Sequence, residues 1–258
     1  EKGGIIKPGR PVICGVQPLE ALTTLERLAA GRGSSFFVAG RDWRVSGTPD
    51  GFDLLGPWGV YRDLRLSLIG PHQVENAATA VVACWMLGQR GLLVPERAIR
   101  DGLAAVHWPG RLEVVRARPT IIVDGAHNAG GAEQLAAAIR ASFRWRRLTL
   151  ILGAGHGKDV EGIVRALAPI ADRLIVTASR HPRAVPPAWI AAVASAGVRA
   201  STRVDEAAAL DAALHLALAE AECDDLICVA GSLYLVAEAR EALGLAEPVE
   251  FERDLLTR

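Results

Sequence analysis

The chain has no excess of charge of either sign: 29 Lys+Arg stand against 29 Asp+Glu, so the formal net charge is zero. Bulk attraction to nucleic acid or to acidic lipid therefore has no electrostatic basis, and neither partner is expected. Long apolar runs are also missing; none approaches the roughly 18–20 residues that a membrane helix needs. The first residues, Glu1-Lys2-Gly3-Gly4-Ile5-Ile6-Lys7-Pro8-Gly9, hold an apolar stretch of only two residues and do not read as a signal peptide. The four cysteines, Cys14, Cys84, Cys223 and Cys228, form no CxxC pair, and two lie inside apolar runs. They read as buried free thiols in a reducing cytoplasm rather than as a disulfide framework. Six scattered histidines, with no HExxH and no Cys/His cluster, give no structural zinc site. Aromatic residues make up only 5%. What is present is apolar bulk: half of 258 residues are hydrophobic, enough for an ordered core in one large or two modest domains.

The pattern changes character along the chain. Residues 11–14 read as a short strand, and Leu19, Leu22, Leu25 and Leu28 share one face of a helix over 19–30. A β-rich stretch punctuated by Gly and Pro follows, with strand-like runs at 35–38, 43–45, 52–55 and 64–69. Gly70-Pro71-His72 opens a long helix over about 74–87, and another helix follows Pro95. From Pro109-Gly110-Arg111 onward, strands and helices alternate regularly. Strands are expected at 120–124, 148–153, 173–178, 198–202 and 225–230, with helices at 131–143, 160–168, 188–194, 206–222 and 233–242. Apolar strands alternating with helices imply a mostly parallel sheet covered on both faces, a Rossmann-like α/β domain. The expected division is 1–108 and 109–258.

Open parallel sheets bind ligands beyond the carboxyl ends of their strands. Three such ends attract notice. The first is Asp124-Gly125-Ala126-His127-Asn128, running into a helix. Asp124 can accept hydrogen bonds or bind a metal, His127 can carry a proton near neutrality, and the helix start favours an anion. Alternatively, Asp124 and Asn128 cap the helix entry. The second is Gly153-Ala154-Gly155-His156-Gly157-Lys158-Asp159, which resembles a phosphate loop but fails its spacing, because GxxxxGK must be followed by Ser or Thr. Lys158 and Asp159 are either substrate contacts or parts of a plain turn with Asp159 as a cap. The third is Gly231-Ser232-Leu233-Tyr234, where Ser232 caps a helix or touches a ligand. Two more residues invite a role. Asn76 at a helix start either offers an amide donor and acceptor to an adenine edge or lies on a solvated first turn, and Arg111 after a Pro-Gly hinge either suits a phosphate at a domain boundary or is an ordinary surface residue.

Taken in order, residues 1–9, Asn76-Ala77-Ala78-Thr79-Ala80, Pro109-Gly110-Arg111, Asp124-Gly125-Ala126-His127-Asn128, Lys158-Asp159 and Gly231-Ser232-Leu233-Tyr234-Leu235-Val236 resemble the C-terminal portion of the folylpolyglutamate synthase/dihydrofolate synthase family of the Mur ligase superfamily. The resemblance implies the rest of a central ATPase domain over 1–108, followed by a C-terminal Rossmann-like domain over 109–258. It implies an ATP-dependent amide ligase, cytoplasmic and monomeric, that joins L-glutamate to dihydropteroate or a reduced folate through an acyl phosphate, with Mg2+ on the phosphates. Carried over by motif, Asn76, Arg111 and Asp124 would bind ATP. His127 would lie beside the reacting groups, and Ser232, Lys158 and Asp159 near the substrate. Lys2 looks like the family's carbamylated, magnesium-binding lysine. That modification needs the neutral amine, and a free lysine titrates at about 10.4, so a buried lysine is expected.

Several departures qualify the match. Ala129 stands where the family usually has Pro after the Asp-Gly-Ala-His-Asn run, and Gly3 where it usually has Ala. The family's Gly-rich ATP loop and upstream metal ligands have no counterpart in these 258 residues. The chain is therefore expected to be a piece cut within the ATPase domain and inactive alone. Two other readings compete: a Mur-type ligase for a different amino acid, and a non-catalytic α/β binding module.

Overall fold

A computed structural model describes residues 2–197 and 202–246. The chain divides into two compact units, the first ending at His107 and the second beginning at Trp108.

In the first unit a 3-10 turn, Lys2–Ile5, precedes strand β1 (Val12–Cys14). Helix α1 (Leu19–Ala30) carries the chain across to β2 (Phe36–Val38), which pairs parallel to β1. Strands β3 (Arg44–Thr48), β4 (Gly51–Gly56) and β5 (Gly59–Leu64) form an antiparallel meander. Helices α2 (Pro71–Gly88) and α3 (Glu96–Ala105) complete the unit. Pro71 suits the first turn of α2, where its missing N–H costs nothing. Val74, Ala77, Ala78, Val81 and Val82 repeat at helical spacing and bury one stripe of α2 against Trp43, Phe52, Leu54 and Leu64.

The strand expected at 64–69 is not there. Leu64 and Leu66 are buried in alternation, as the pattern required. The backbone, however, bonds elsewhere: the Leu66 N–H donates to the Pro49 carbonyl and the Ser67 N–H to that of Leu103. The alternation reported burial without a ladder partner.

The second unit holds a six-stranded sheet with the order β10-β9-β8-β11-β7-β6. Its elements are β6 (Glu113–Ala117), β7 (Thr120–Val123), α4 (Ala129–Ser142), β8 (Leu148–Leu152), α5 (Val160–Leu167), β9 (Arg173–Val176), α6 (Pro187–Gly197), β10 (Arg203–Glu206), α7 (Leu210–Glu220), β11 (Leu226–Ala230) and α8 (Leu233–Ala242). Five strands are parallel and β6 alone pairs antiparallel, to β7. The central strands are predominantly apolar because helices cover both faces. Every residue of β9 and β11 is buried, and Ile121, Ile151, Ile175 and Val229 meet Leu210, Leu214 and Leu235 in one core.

Two local differences from the sequence expectations stand out. Strand β6 has no alternating apolar signature, since an edge strand leaves three of its five residues exposed. Strand β10 covers 203–206, whereas the expected strand at 198–202 falls mostly on residues outside those described. Glu206 ends that strand instead of starting a helix, and α7 begins at Leu210 after three alanines that carry no capping signal. Among the described residues, no helix is long and apolar enough to cross a membrane.

Leu150 lies at the centre of the sheet with no exposed surface. Leu150→Ala should destabilise the protein by about 2–5 kcal/mol through lost burial and a residual cavity, read as a lower urea midpoint with an unchanged slope.

Candidate active site

The carboxyl ends of β7, β8, β9 and β11 surround a cavity of about 340 Å3. Each strand sends a loop into it. His127 follows β7; Gly155, His156 and Lys158 follow β8; Ser179, His181, Arg183 and Ala184 follow β9; Gly231, Ser232, Leu233 and Tyr234 follow β11. The lining holds two cations, Lys158 and Arg183, three imidazoles and, among the described residues, no carboxylate. Such a cavity selects an anion.

The loop after β7 is organised by Asp124, which is 5% exposed. One carboxylate oxygen accepts the Ala126 N–H at 2.8 Å, and the other accepts the Leu112 N–H at 2.7 Å. The second bond holds Leu112 at a φ of +45°, in the left-handed region that a leucine rarely adopts. The carboxylate thus fixes the turn bearing Arg111 to the end of β7. Arg111 itself is exposed, and its side chain makes no hydrogen bond or ion pair among the described residues.

His127 is half-buried, and its Nδ1 lies 2.8 Å from the Gly125 carbonyl. A carbonyl only accepts, so Nδ1 carries the proton and Nε2 is the acceptor of the neutral ring. Asn128 caps α4, its side chain accepting the Gly131 N–H at 2.8 Å. Two sequence candidates are also helix caps. Asp159 accepts the Gly162 N–H at 2.8 Å, is exposed, and does not line the cavity. Ser232 accepts the Tyr234 N–H at 3.2 Å and does line it.

At Gly231 the backbone turns with a φ of +100°. A Cβ there would stand 2.3 Å from the Gly153 carbonyl oxygen, so only glycine lets β11 turn beside the end of β8. The loops after β8 and β9 are zipped together: the His156 N–H donates to the Arg183 carbonyl at 2.8 Å, and the Val185 N–H to that of Ala154 at 2.9 Å. The His181 ring stacks on Tyr234 with centroids 3.9 Å apart. Cys228 lies in the sheet beneath, where burial and then the nearby Asp124 charge push its thiol up and leave it unreactive.

Of the residues singled out from sequence, the structure brings His127, Lys158 and Ser232 to one cavity. Asp124 and Arg111 organise its neighbourhood. Asn76 and Lys2 belong to the first unit. Asn76 is exposed on α2, its amide donating to the Gln73 side chain at 3.0 Å. Lys2 is exposed in its 3-10 turn. Among the described residues there is no group of three or more His, Cys, Asp or Glu able to hold a metal.

The residues that sequence reasoning passed over are Ser179, His181 and Arg183. Their signal was available: Ser179-Arg180-His181-Pro182-Arg183 is polar and follows a buried parallel strand, the same criterion that picked out the other three strand ends.

Removing the Asp124 carboxylate tests the turn. Asp124→Ala orphans two buried N–H groups, each worth about 1–3 kcal/mol, and should lower the urea midpoint far more than Asp124→Asn, which keeps one acceptor oxygen. Equal midpoints for the two variants would contradict this assignment.

Comparison with known proteins bears on the same region. Residues 110–233 match the family described as Mur ligase, glutamate ligase domain. A probable bifunctional folylpolyglutamate synthase/dihydropteroate synthase of Halobacterium salinarum is 38% identical over 242 residues, covering 88% of this chain and 28% of that protein. The crystal structure of Mycobacterium tuberculosis folylpolyglutamate synthase complexed with ADP and AMPPCP superposes with a TM-score of 0.86 at 30% identity, covering 96% of this chain and 59% of that one. The bifunctional folylpolyglutamate synthase/dihydrofolate synthase of Yersinia pestis with Mn, AMPPNP and L-glutamate bound gives 0.80 at 26% identity, covering 95% and 56%. The chain thus spans between 28% and 59% of the length of these proteins. Over residues 110–233 the chain thus matches the Mur ligase glutamate ligase domain, and along most of its length it is similar to part of the folylpolyglutamate synthase/dihydrofolate synthase proteins.

Proposed function

We propose that this chain serves ATP-dependent amide ligation, and that the cavity of the second unit is the binding site for L-glutamate, the amino acid joined to dihydropteroate or a reduced folate. The observation that carries the reading is the lining: Lys158, Arg183 and three histidines without a facing carboxylate, at the carboxyl ends of four parallel strands. Glutamate presents two carboxylates, which the cations answer, and one amine, which must lose protons before it attacks an acyl carbon. The His127 imidazole is suited to that task, because Gly125 holds its Nδ1 proton and leaves Nε2 as the base. Ser232 is suited to orient the ligand, since its hydroxyl is fixed by the first turn of α8.

ATP enters on the comparisons with nucleotide-bound relatives. The chemistry it supplies is activation of the folate-side carboxylate as an acyl phosphate. Arg111 fits a phosphate or ribose contact, being exposed and positioned by a buried carboxylate. Asp124 fits the group that fixes the turn bearing Arg111, its two oxygens accepting the Leu112 and Ala126 N–H groups. Asn76 is exposed and suits an adenine contact. Among the described residues no group of three or more His, Cys, Asp or Glu could hold magnesium.

Calorimetric titration of the 258-residue chain with L-glutamate tests the reading. Saturable binding is expected, weakened about tenfold or more by Arg183→Ala or Lys158→Met, since each removes a charge-assisted hydrogen bond. L-glutamine should bind more weakly than L-glutamate. Equal affinity for the two amino acids, or no binding of either, would contradict it.

A second expectation follows from the missing GxxxxGK[ST] segment. The purified chain, given ATP, L-glutamate and dihydropteroate, should form no ligation product. Glutamate-dependent release of phosphate by these residues alone would overturn that expectation.

A further inference from the structure

Helix α8 does more than present Ser232 and Tyr234. Three residues along one of its faces, Tyr234, Glu238 and Glu241, are spaced four and three apart and all engage the loop between β9 and α6. Tyr234 stacks on the His181 ring. Glu238 Oε1 accepts the Arg180 backbone N–H at 2.7 Å and lies 3.6 Å from Arg180 Nε. Glu241 pairs with the Arg180 guanidinium. The loop is tied to the sheet at its two ends by backbone bonds, from the Thr177 N–H to the Leu152 carbonyl at 2.9 Å and from the Val185 N–H to that of Ala154 at 2.9 Å. Its tip, which carries Ser179 and His181 into the cavity, is where α8 takes hold.

Glu238 is an expensive way to fill that position. It is 6% exposed, between apolar neighbours on an otherwise Ala- and Leu-rich helix. Burial pushes its carboxyl upward, an effect that the Arg180 N–H and guanidinium oppose. An apolar side chain would pack there without any desolvation cost. What a carboxylate adds is an acceptor aimed at the residue just before His181.

We propose that Glu238 is the positioning residue of the cavity: its bond to the Arg180 N–H sets where Ser179, His181 and Arg183 stand relative to Ser232, and so tunes affinity for the amino-acid substrate without touching it. The same rigid helix then defines both walls, Ser232 at its first turn and the β9 loop through Glu238 one turn further on. The functional half of this statement rests on the cavity being the glutamate site; the geometric half does not.

The test compares Glu238→Ala with Glu238→Gln in the full chain and reads each half separately. Three signals are followed: amide exchange at Arg180, the ring-current shift that Tyr234 imposes on the His181 imidazole, and L-glutamate affinity by calorimetry. In Glu238→Ala, Arg180 exchange should rise at least about tenfold and the His181 resonances should move to solvent-like positions, because the part-buried bond that protects the Arg180 N–H has been lost. The dissociation constant should rise by about tenfold as well, while Val229 amide protection in β11 stays unchanged. Glu238→Gln retains an acceptor oxygen and should restore both the His181 shift and the affinity. Arg180→Pro removes the same N–H from the loop side and should reproduce the alanine phenotype; it decides the question if the alanine variant does not fold. An unchanged His181 shift in both Glu238→Ala and Arg180→Pro overturns the proposal. So does a loop that moves with no change in affinity, provided the parent chain binds glutamate. If the parent chain binds none, the glutamate reading fails, and the exchange and ring-current signals alone decide whether Glu238 positions the loop.

Discussion

The constraint on which the site depends is the crowding where β11 leaves the sheet. This strand, the last among the described residues, is inserted between β7 and β8, and its carboxyl end is bonded to both neighbours. The Asp124 N–H donates to the Val229 carbonyl at 3.0 Å, the Gly153 N–H to that of Ala230 at 3.2 Å, and the Gly231 N–H to that of Ala126 at 2.9 Å. Three chain turns are thereby held within one hydrogen-bond width of each other, and each then diverges into a loop that lines the cavity. Backbone hydrogen bonds buried beneath a continuous apolar sheet are costly to break, so the polar groups above them inherit a fixed spacing.

Two levels of support follow from that arrangement. Side chains that cap helices, Asn128, Asp159 and Ser232, fix where α4, α5 and α8 begin. Buried carboxylates, Asp124 and Glu238, then pin the loops between elements by accepting backbone N–H groups. Asp124 and Glu238 act on the backbone, whereas the ionisable side chains lining the cavity, among the described residues, are Lys158, Arg183, three histidines and Tyr234. Carboxylates are kept out of the place where an anionic substrate would sit, and their charge is spent on architecture instead.

Much of this was legible in the sequence, for identifiable reasons. The buried strands β7, β8, β9 and β11 are mostly apolar runs, and their ends are marked by Gly, Asp or polar clusters, so both the parallel sheet and three of four cavity loops could be read. Strand β6 could not, because its sequence, Glu113-Val114-Val115-Arg116-Ala117, does not alternate apolar with polar and none of its residues is fully buried. The run at 64–69 was misleading because alternation records which side chains are buried, not whether a neighbouring strand exists. The roles of individual residues were the least legible. The capping of α8 by Ser232 was one of two readings that its position offered, whereas the bond from the Leu112 N–H to Asp124 joins residues twelve apart and nothing in the sequence marks Glu238. Its burial depends on a loop whose position is set by sheet order, a property of the fold alone.

The central claim is that the loops after β7, β8, β9 and β11 form one site for a dicarboxylic amino acid. Titrating the isotopically labelled chain with L-glutamate and mapping backbone amide shifts tests it directly. The account predicts that the largest shifts fall on His127 and on residues 155–158, 179–184 and 231–234, with a single common dissociation constant. Shifts centred on the opposite end of the sheet or on the first unit, or none at saturating glutamate, would contradict it.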